Sequence, residues 1–218
     1  MKTISMIILL GFTVVTLAQP LFTLDFEADS IGEFPSRWTS KNEEDMRMVY
    51  FVREEDGNRF LRGDAGGLSV QIGFKTEWEL EKYPYLNWKW RAVTLPEGSD
   101  EHEKSGNDNA LGLYVVFGGW PIPKNIKYIW SETLPVGTEL PSPFTSRTKM
   151  LVLRSGEDNI GEWVEEERDV LEDYRRLFGE PEATPTARGI GILTDSDNTD
   201  TEAVGDYDDI RILPKREE

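Results

Sequence analysis

Between Tyr85 and Val93 the chain reads Tyr-Leu-Asn-Trp-Lys-Trp-Arg-Ala-Val, and only an extended strand sorts that order into two faces. Successive side chains of a strand point to opposite sides, so Leu86, Trp88, Trp90 and Ala92 share one face while Asn87, Lys89 and Arg91 share the other. A sheet that is apolar on one face needs a second layer to cover it. Comparable short segments, broken by Gly, Pro, Asn and Asp, recur along the chain and predict strands over 22–27, 47–53, 59–63, 68–74, 86–94, 110–117, 126–131, 149–154, 161–167, 188–194 and 206–213. The run Ala110-Leu-Gly-Leu-Tyr-Val-Val-Phe117 is apolar on both faces, as a central strand would be. One helix is predicted, over 169–179. Asp169 and Glu172 stand at capping-box spacing, Val170, Leu171, Tyr174, Leu177 and Phe178 form a stripe, and Gly179 with Pro181 stops it. The expected fold is all-β, a jelly-roll-like antiparallel sandwich with one short helix.

Residues 1–18 carry Lys2, an apolar run from Ile4 to Leu17 and the small-x-small triplet Thr16-Leu17-Ala18, the pattern of a secretory signal peptide. The reading is one domain over 19–218, exported to the periplasm or secreted, with no segment inserted in a membrane. The absence of cysteine excludes disulfides and thiolate chemistry. With 41 acidic against 24 basic residues and a net charge of −17, the chain is a poor ligand for nucleic acid, whose affinity rests on phosphate neutralisation.

A set of short motifs carries a family resemblance over nearly the whole mature chain. Leu86-Asn-Trp-Lys-Trp-Arg-Ala92, Gly106-Asn-Asp-Asn-Ala-Leu-Gly-Leu-Tyr-Val-Val-Phe117, Ile126-Lys-Tyr-Ile-Trp130, Leu153-Arg-Ser-Gly156, Trp163, Arg168-Asp-Val170, Asp173-Tyr174 and Gly191-Ile-Leu-Thr-Asp-Ser-Asp-Asn-Thr199 resemble the bacterial family called domain of unknown function 3047. That resemblance implies an exported, mostly β domain and carries no catalytic residue with it. A looser one rests on Leu24-Asp-Phe-Glu27 with Gly32, Pro35 and Trp38, and on Asp206-Tyr-Asp-Asp-Ile-Arg-Ile212. These are similar to the first and last strands of jelly-roll carbohydrate-binding modules and lectin-like sandwiches, which implies that the two strands pair and that nearby carboxylates hold a structural calcium.

Six aspartates crowd residues 195–209. Asp195-x-Asp197-x-Thr199 places oxygen ligands at every second residue, and Asp206 falls twelve positions from Asp195 inclusive, as in an EF-hand. The match fails at position six, where Asp200 replaces glycine, and at position twelve, where aspartate replaces glutamate. Calcium remains the expected cation, either on Asp195 and Asp197 or on a separate pair, Glu27 and Asp209. The competing reading is a solvated turn whose Asp and Asn side chains cap local N–H groups.

The sequence offers two candidate binding features. Lys89, Arg91, Lys127 and Arg154 fall on the polar side of their strands, and together they would suit an acidic glycan. Trp120 lies in the turn-rich Gly118-Gly-Trp-Pro-Ile-Pro123, where an indole can serve as a sugar platform, whereas Trp88 and Trp90 read as core. The single histidine, His102, lies in the polar segment Pro96 to Asn109, read as a surface loop, which leaves little material for a zinc site or a Ser-His-Asp triad. Carboxylate chemistry needs only two acids, and Glu162, Glu165 and Glu167 are the strand-borne ones; a tyrosine base, Tyr114 or Tyr128, beside Arg154 is a lyase arrangement. The leading expectation is a carbohydrate-binding sandwich without a catalytic residue. A polysaccharide-cleaving enzyme using the same groove and an envelope domain without a small ligand are the alternatives.

Overall fold

The structure is a computed structural model that describes residues 19–118 and 123–216. The predicted signal peptide and Trp120 lie outside the described residues. The elements in chain order are β1 (Phe22–Leu24), α1 (Glu43–Val49), β2 (Tyr50–Glu55), β3 (Asn58–Gly66), β4 (Ile72–Glu79), β5 (Tyr85–Thr94), β6 (Leu111–Phe117), β7 (Lys124–Ser131), β8 (Glu139–Ser142), β9 (Thr145–Ser155), β10 (Val164–Asp169), α2 (Val170–Phe178), β11 (Thr186–Leu193) and β12 (Glu202–Leu213). They form two six-stranded sheets. The first runs β10-β5-β12-β3-β2, with β1 added beside β12; the second runs β4-β11-β6-β7-β9-β8.

The alternation in β5 sorts as its sequence predicts. Leu86, Trp88, Trp90 and Ala92 are buried between the sheets. From the second sheet, Ile126, Tyr128 and Trp130 of β7 meet them, with the Trp88 and Tyr128 rings 5.4 Å apart and the Trp90 and Trp130 rings 6.2 Å apart. Rings of this size bury the most apolar area per residue, so this aromatic layer dominates the adhesion of the two sheets. The first and last strands pair, Phe22 opposite Ile212 and Leu24 opposite Ile210. At Asp208 and Asp209 the register of β12 against β5 shifts, and Asp209 takes a left-handed φ of 52°. That bulge lets β12 pair with β3 along its first half and with β1 along its second.

The strand expected over 68–74 lies over Ile72–Glu79, and β8 matches no expected strand. Three further details depart from the sequence reading. The sandwich is not wholly antiparallel, because β9 inserts between β7 and β8 and runs parallel to β7. A second helix, α1, takes the first residues of a segment expected to be strand. Asn42 caps it by accepting from Asp45 N, and Glu43, Glu44 and Asp45 fill its first turn, so local capping outweighs the apolar alternation that starts at Met46. Finally, the polar segment 96–109 is not simply a surface loop. Ser99, Glu101, Asn107, Asp108 and Asn109 are buried against the second sheet. The predicted helix is present as α2, capped by Asp169 on Glu172 N at 2.9 Å and closed by Gly179 at φ 66°. Its Tyr174 packs on Phe117, so the helix covers one end of the sandwich.

Candidate functional site

Because Ile126, Tyr128 and Trp130 face inward, Lys127 and Ile129 must face out from the second sheet. Lys127 is nevertheless only 1% exposed. The segment 101–109 folds over it, and its Nζ donates to Asn109 Oδ1 at 2.6 Å. Asn109 ties the cluster together. Its Nδ2 donates to Glu101 Oε1 at 2.8 Å and its backbone N–H to Asp195 Oδ1 at 2.9 Å. Gly112 on the neighbouring strand makes room for the lysine, since a Cβ there would lie 2.7 Å from Lys127 Cε. The Tyr114 ring lies alongside, its centroid 5.5 Å from Lys127 Nζ.

A groove of about 600 Å³ opens over this cluster. Its floor is Tyr114, Val116, Asn125, Lys127, Thr148 and Met150, from β6, β7 and β9. One wall is made by Ser69, Gln71, Asn107, Leu193, Asp195, Asp197 and Asn198, the other by Pro123 and the β8–β9 turn with Ser142, Phe144 and Thr145. Phe144 is 57% exposed at that rim. An opening of about 830 Å³ at the end of the sandwich is lined by Val93, Leu95, Ile160 and several glutamates, with no aromatic side chain and no cation in its lining. Of the two, only the sheet-face groove combines a ring, amides, hydroxyls and charged groups.

The electrostatics of the groove are acidic. Asp195 is 3% exposed, and burial, helped by Asp108 and Asp197 and opposed by Lys127 and the Asn109 N–H, pushes its carboxyl up to about 7. Burial, then Asp108, raises Asp197 as well. Burial also raises Glu101, against the Ser131 hydroxyl, Lys127 and the Asn109 amide, which favour its charged form. For Lys127 burial acts downward, but Tyr114, Asp195 and Glu101 outweigh it and hold the ammonium above its ordinary value. The lysine is therefore charged and already matched by acceptors.

The expected strip of four cations does not form, because pairing divides the strands between two sheets. Lys89 and Arg91 lie on the outer face of the first sheet, Lys127 on that of the second, and Arg154 at the edge between them. Each has a partner. Arg91 meets Asp206 and Glu55 at 2.8 and 2.7 Å, Lys89 meets Asp209 at 2.8 Å, and Arg154 meets Glu166 at 2.6 Å. Arg91 also stacks over the Phe60 and Trp163 rings at 5.2 and 4.7 Å.

The metal candidates separate in the same way. Asp195 and Asp197 come together, joined by Asp108, with one ligand oxygen from each within 4.8 Å of the others. Asp108 was not singled out from the sequence, although Gly106-Asn-Asp-Asn109 stands among the family motifs. Glu27 accepts from Arg59 N at 2.9 Å. Asp209 is held by Lys89 and Arg211, and these two cations outweigh burial to keep its carboxyl below the usual value. That pair is thus supplied with donors and cations and offers no cation site. The acid–base candidates are also committed: Glu165 accepts from Asn87, Glu162 from Asn159, Glu167 pairs with Arg216, and Tyr128 donates to a buried Asp173. Tyr114 stands beside Lys127, not Arg154.

Among the described residues no helix is long and apolar enough to cross a membrane. No functionally curated protein matches the chain. Three solved structures of similar shape have low sequence identity. The Trichoderma harzianum Endoglucanase 3 from family GH12 is 8% identical, with 94% of this chain and 100% of that one covered at a TM-score of 0.45. The mannan-recognising carbohydrate-binding module TmCBM27 is 12% identical, with 92% and 100% covered at 0.41. TmCBM61, solved with beta-1,4-galactotriose, is 12% identical, with 88% and 94% covered at 0.40. The match that covers most of the sequence itself is a family match over residues 36–211, and by it the chain belongs to the family described as Protein of unknown function (DUF3047).

Proposed function

We propose that this protein is an exported carbohydrate-binding sandwich that takes a sugar chain along the outer face of its second sheet. The observation that carries the reading is the composition of the 600 Å³ groove: a half-buried Tyr114 on the floor, an exposed Phe144 on the rim, and Asn125, Thr148, Gln71 and Asn198 between them. A pyranose ring presents an apolar face and a girdle of hydroxyls. It is met by an aromatic ring together with amides and hydroxyls that can both donate and accept.

The charge balance moves the expected ligand from acidic toward neutral glycans. Asp195 and Asp197 line the wall, and Lys127, the cation on the floor, is already enclosed by Asn109, Tyr114 and Asp195. A uronate would meet more negative than positive charge there. Export to the periplasm or beyond belongs to the same proposal and rests on the signal-peptide pattern of residues 1–18. Calorimetric titration of the mature protein with neutral, amino and uronate oligosaccharides tests it. Binding of a neutral oligosaccharide that is lost in Tyr114→Ala supports the groove, and absence of binding across all three classes overturns the proposal.

A further inference from the structure

We propose that Asp108, Asp195, Asp197 and Asn107 form a calcium site on the wall of this groove, pinning segment 106–109 to loop 195–199. The inference stands apart from sugar binding and rests on four groups. Three carboxylates present oxygens within 4.8 Å of one another. Two oxygens on opposite sides of one calcium lie about 4.6–5.2 Å apart, so the span fits a single ion. The fourth group is Asn107, 6% exposed and lining the groove with Asp195 and Asp197; its Oδ1 has no hydrogen-bond partner. A buried carbonyl oxygen without a donor is costly unless something else satisfies it, and a hard cation does so.

The hydrogen bonds hold the carboxylates in place, engaging Asp108 most fully and leaving acceptor capacity on Asp195 and Asp197. Asp195 Oδ1 takes the Asn109 N–H, which leaves Oδ2. Asp108 Oδ2 takes Thr199 N and Oγ1 at 2.7 and 2.8 Å, Oδ1 takes the Asn198 side-chain amide at 2.8 Å, and the Asn198 N–H is shared between Oδ2 and Oδ1 at 3.1 and 3.3 Å, so that only this long branch to Oδ1 has to give way to a cation. Asp197 Oδ1 accepts from the same Asn198 amide at 3.0 Å, and the Ser69 hydroxyl donates to its carboxylate. Lys127 supplies one positive charge against three carboxylates, and it is also shared with Glu101. A divalent cation closes that deficit. All the ligands are oxygens, and the remaining positions of a six- to eight-coordinate calcium would be water, which the groove admits. The smaller magnesium demands near-ideal octahedral geometry and gives up its waters reluctantly, so the site discriminates against it.

The test uses the mature chain without sugar. Thermal unfolding is followed with calcium, with magnesium and with excess chelator, and terbium is titrated as a luminescent calcium substitute read through protein excitation. A ligand bound only by the native state at about 100 times its dissociation constant raises the midpoint of a domain this size by roughly 5–10 °C. The expected result is such a rise with calcium, reversed by chelator, together with a saturable terbium signal that calcium displaces. Asp197→Asn, exposed and safe for folding, and Asn107→Ala should each weaken both readouts at least tenfold in metal concentration. Three outcomes overturn the proposal: no shift and no terbium signal at millimolar metal, an unchanged response in Asp197→Asn, or an equal response to magnesium. The last would mean screening of the acidic wall and not a site.

Discussion

The outer faces of the two sheets both hold buried charged groups, yet they treat charge in opposite ways. On the first sheet the central guanidinium groups each meet a carboxylate directly, while the buried Asp208 is held by the Asn58 amide and the Asp209 N–H. Asp206 is fully buried and receives Arg62 through two bonds of 2.7 and 2.8 Å, while Arg91 reaches its Oδ2 and Glu55 together. On the second sheet one lysine faces a surplus of carboxylates, and Asn107 Oδ1 is left without a donor. Buried charges that are matched to each other specify a structure; acceptors buried without donors specify something that must arrive. The difference supports the proposed binding role of the second face and a scaffolding role for the Asp206 cluster of the first.

The largest expected effect breaks the scaffold and spares the groove. Asp206→Ala strands two guanidinium groups with side-chain exposures of 15% and 11%, and removing one partner of a buried pair costs about 3–5 kcal/mol. Urea unfolding should show that loss while the affinity for oligosaccharide is unchanged. A loss below about 1 kcal/mol would place the cluster among ordinary surface pairs.

Next in size, taken per pH unit, is a pH effect to which both faces contribute. Asp195, packed among Lys127, Tyr114, Asp108 and Asp197, titrates near about 7 in the fold, and Asp208, pushed up mainly by burial, near about 6. Both would titrate near about 3.9 when unfolded. Between these values the native state holds protons that the unfolded state has released, so stability falls as pH rises from about 4 to 7 and then levels, by up to about 1.4 kcal/mol per pH unit for each group. Asp209 and Glu180 are lowered in the fold and act with the opposite sign, below that window. Asp208→Asn should flatten the part below pH 6, and saturating calcium the part approaching 7, because a bound metal needs Asp195 ionised. Stability that climbs steadily across pH 4–7 would contradict the burial of both carboxyls.

The scaffold was far more legible in the sequence than the site. The faces of β5 and the cap and stop of α2 follow from local pattern, because alternation, capping spacing and turn residues act within a few positions of one another, whereas the pairing of first and last strands was implied only by the resemblance to jelly-roll modules. The site is assembled from residues 101–109, 114, 127 and 195–198, which lie on loops and strands that only the sheet order brings together. Alternation puts Lys89 and Lys127 on polar faces but says nothing about which sheet each face belongs to. Segment 96–109 looked like a surface loop for a similar reason. Its polar composition is that of a loop, and nothing local announces that Glu101 and Asn109 have a buried lysine to meet. Only Gly106-Asn-Asp-Asn109, conspicuous as a motif, marked the position.

Within the groove, two substitutions grade the binding face from floor to rim. Tyr114→Ala removes the ring on which a sugar would stack and should weaken binding about tenfold or more, about 1.4 kcal/mol, with the native fold retained by circular dichroism. Phe144→Ala probes the rim, where solvent already reaches the ring and Lys104 Nζ lies 5.8 Å from its centroid. Contacts at the edge of an interface exclude water more than they hold the partner, so the expected loss is about two- to threefold, about 0.5 kcal/mol, with no change in unfolding midpoint. The ratio of the two losses tests where the ligand sits. If Phe144→Ala costs as much as Tyr114→Ala, the sugar lies across the β8–β9 turn and not on the sheet. The unpaired wall of Asp195 and Asp197 would then belong to the cation alone, and the contrast between the two faces would be one of metal binding with no role in sugar recognition.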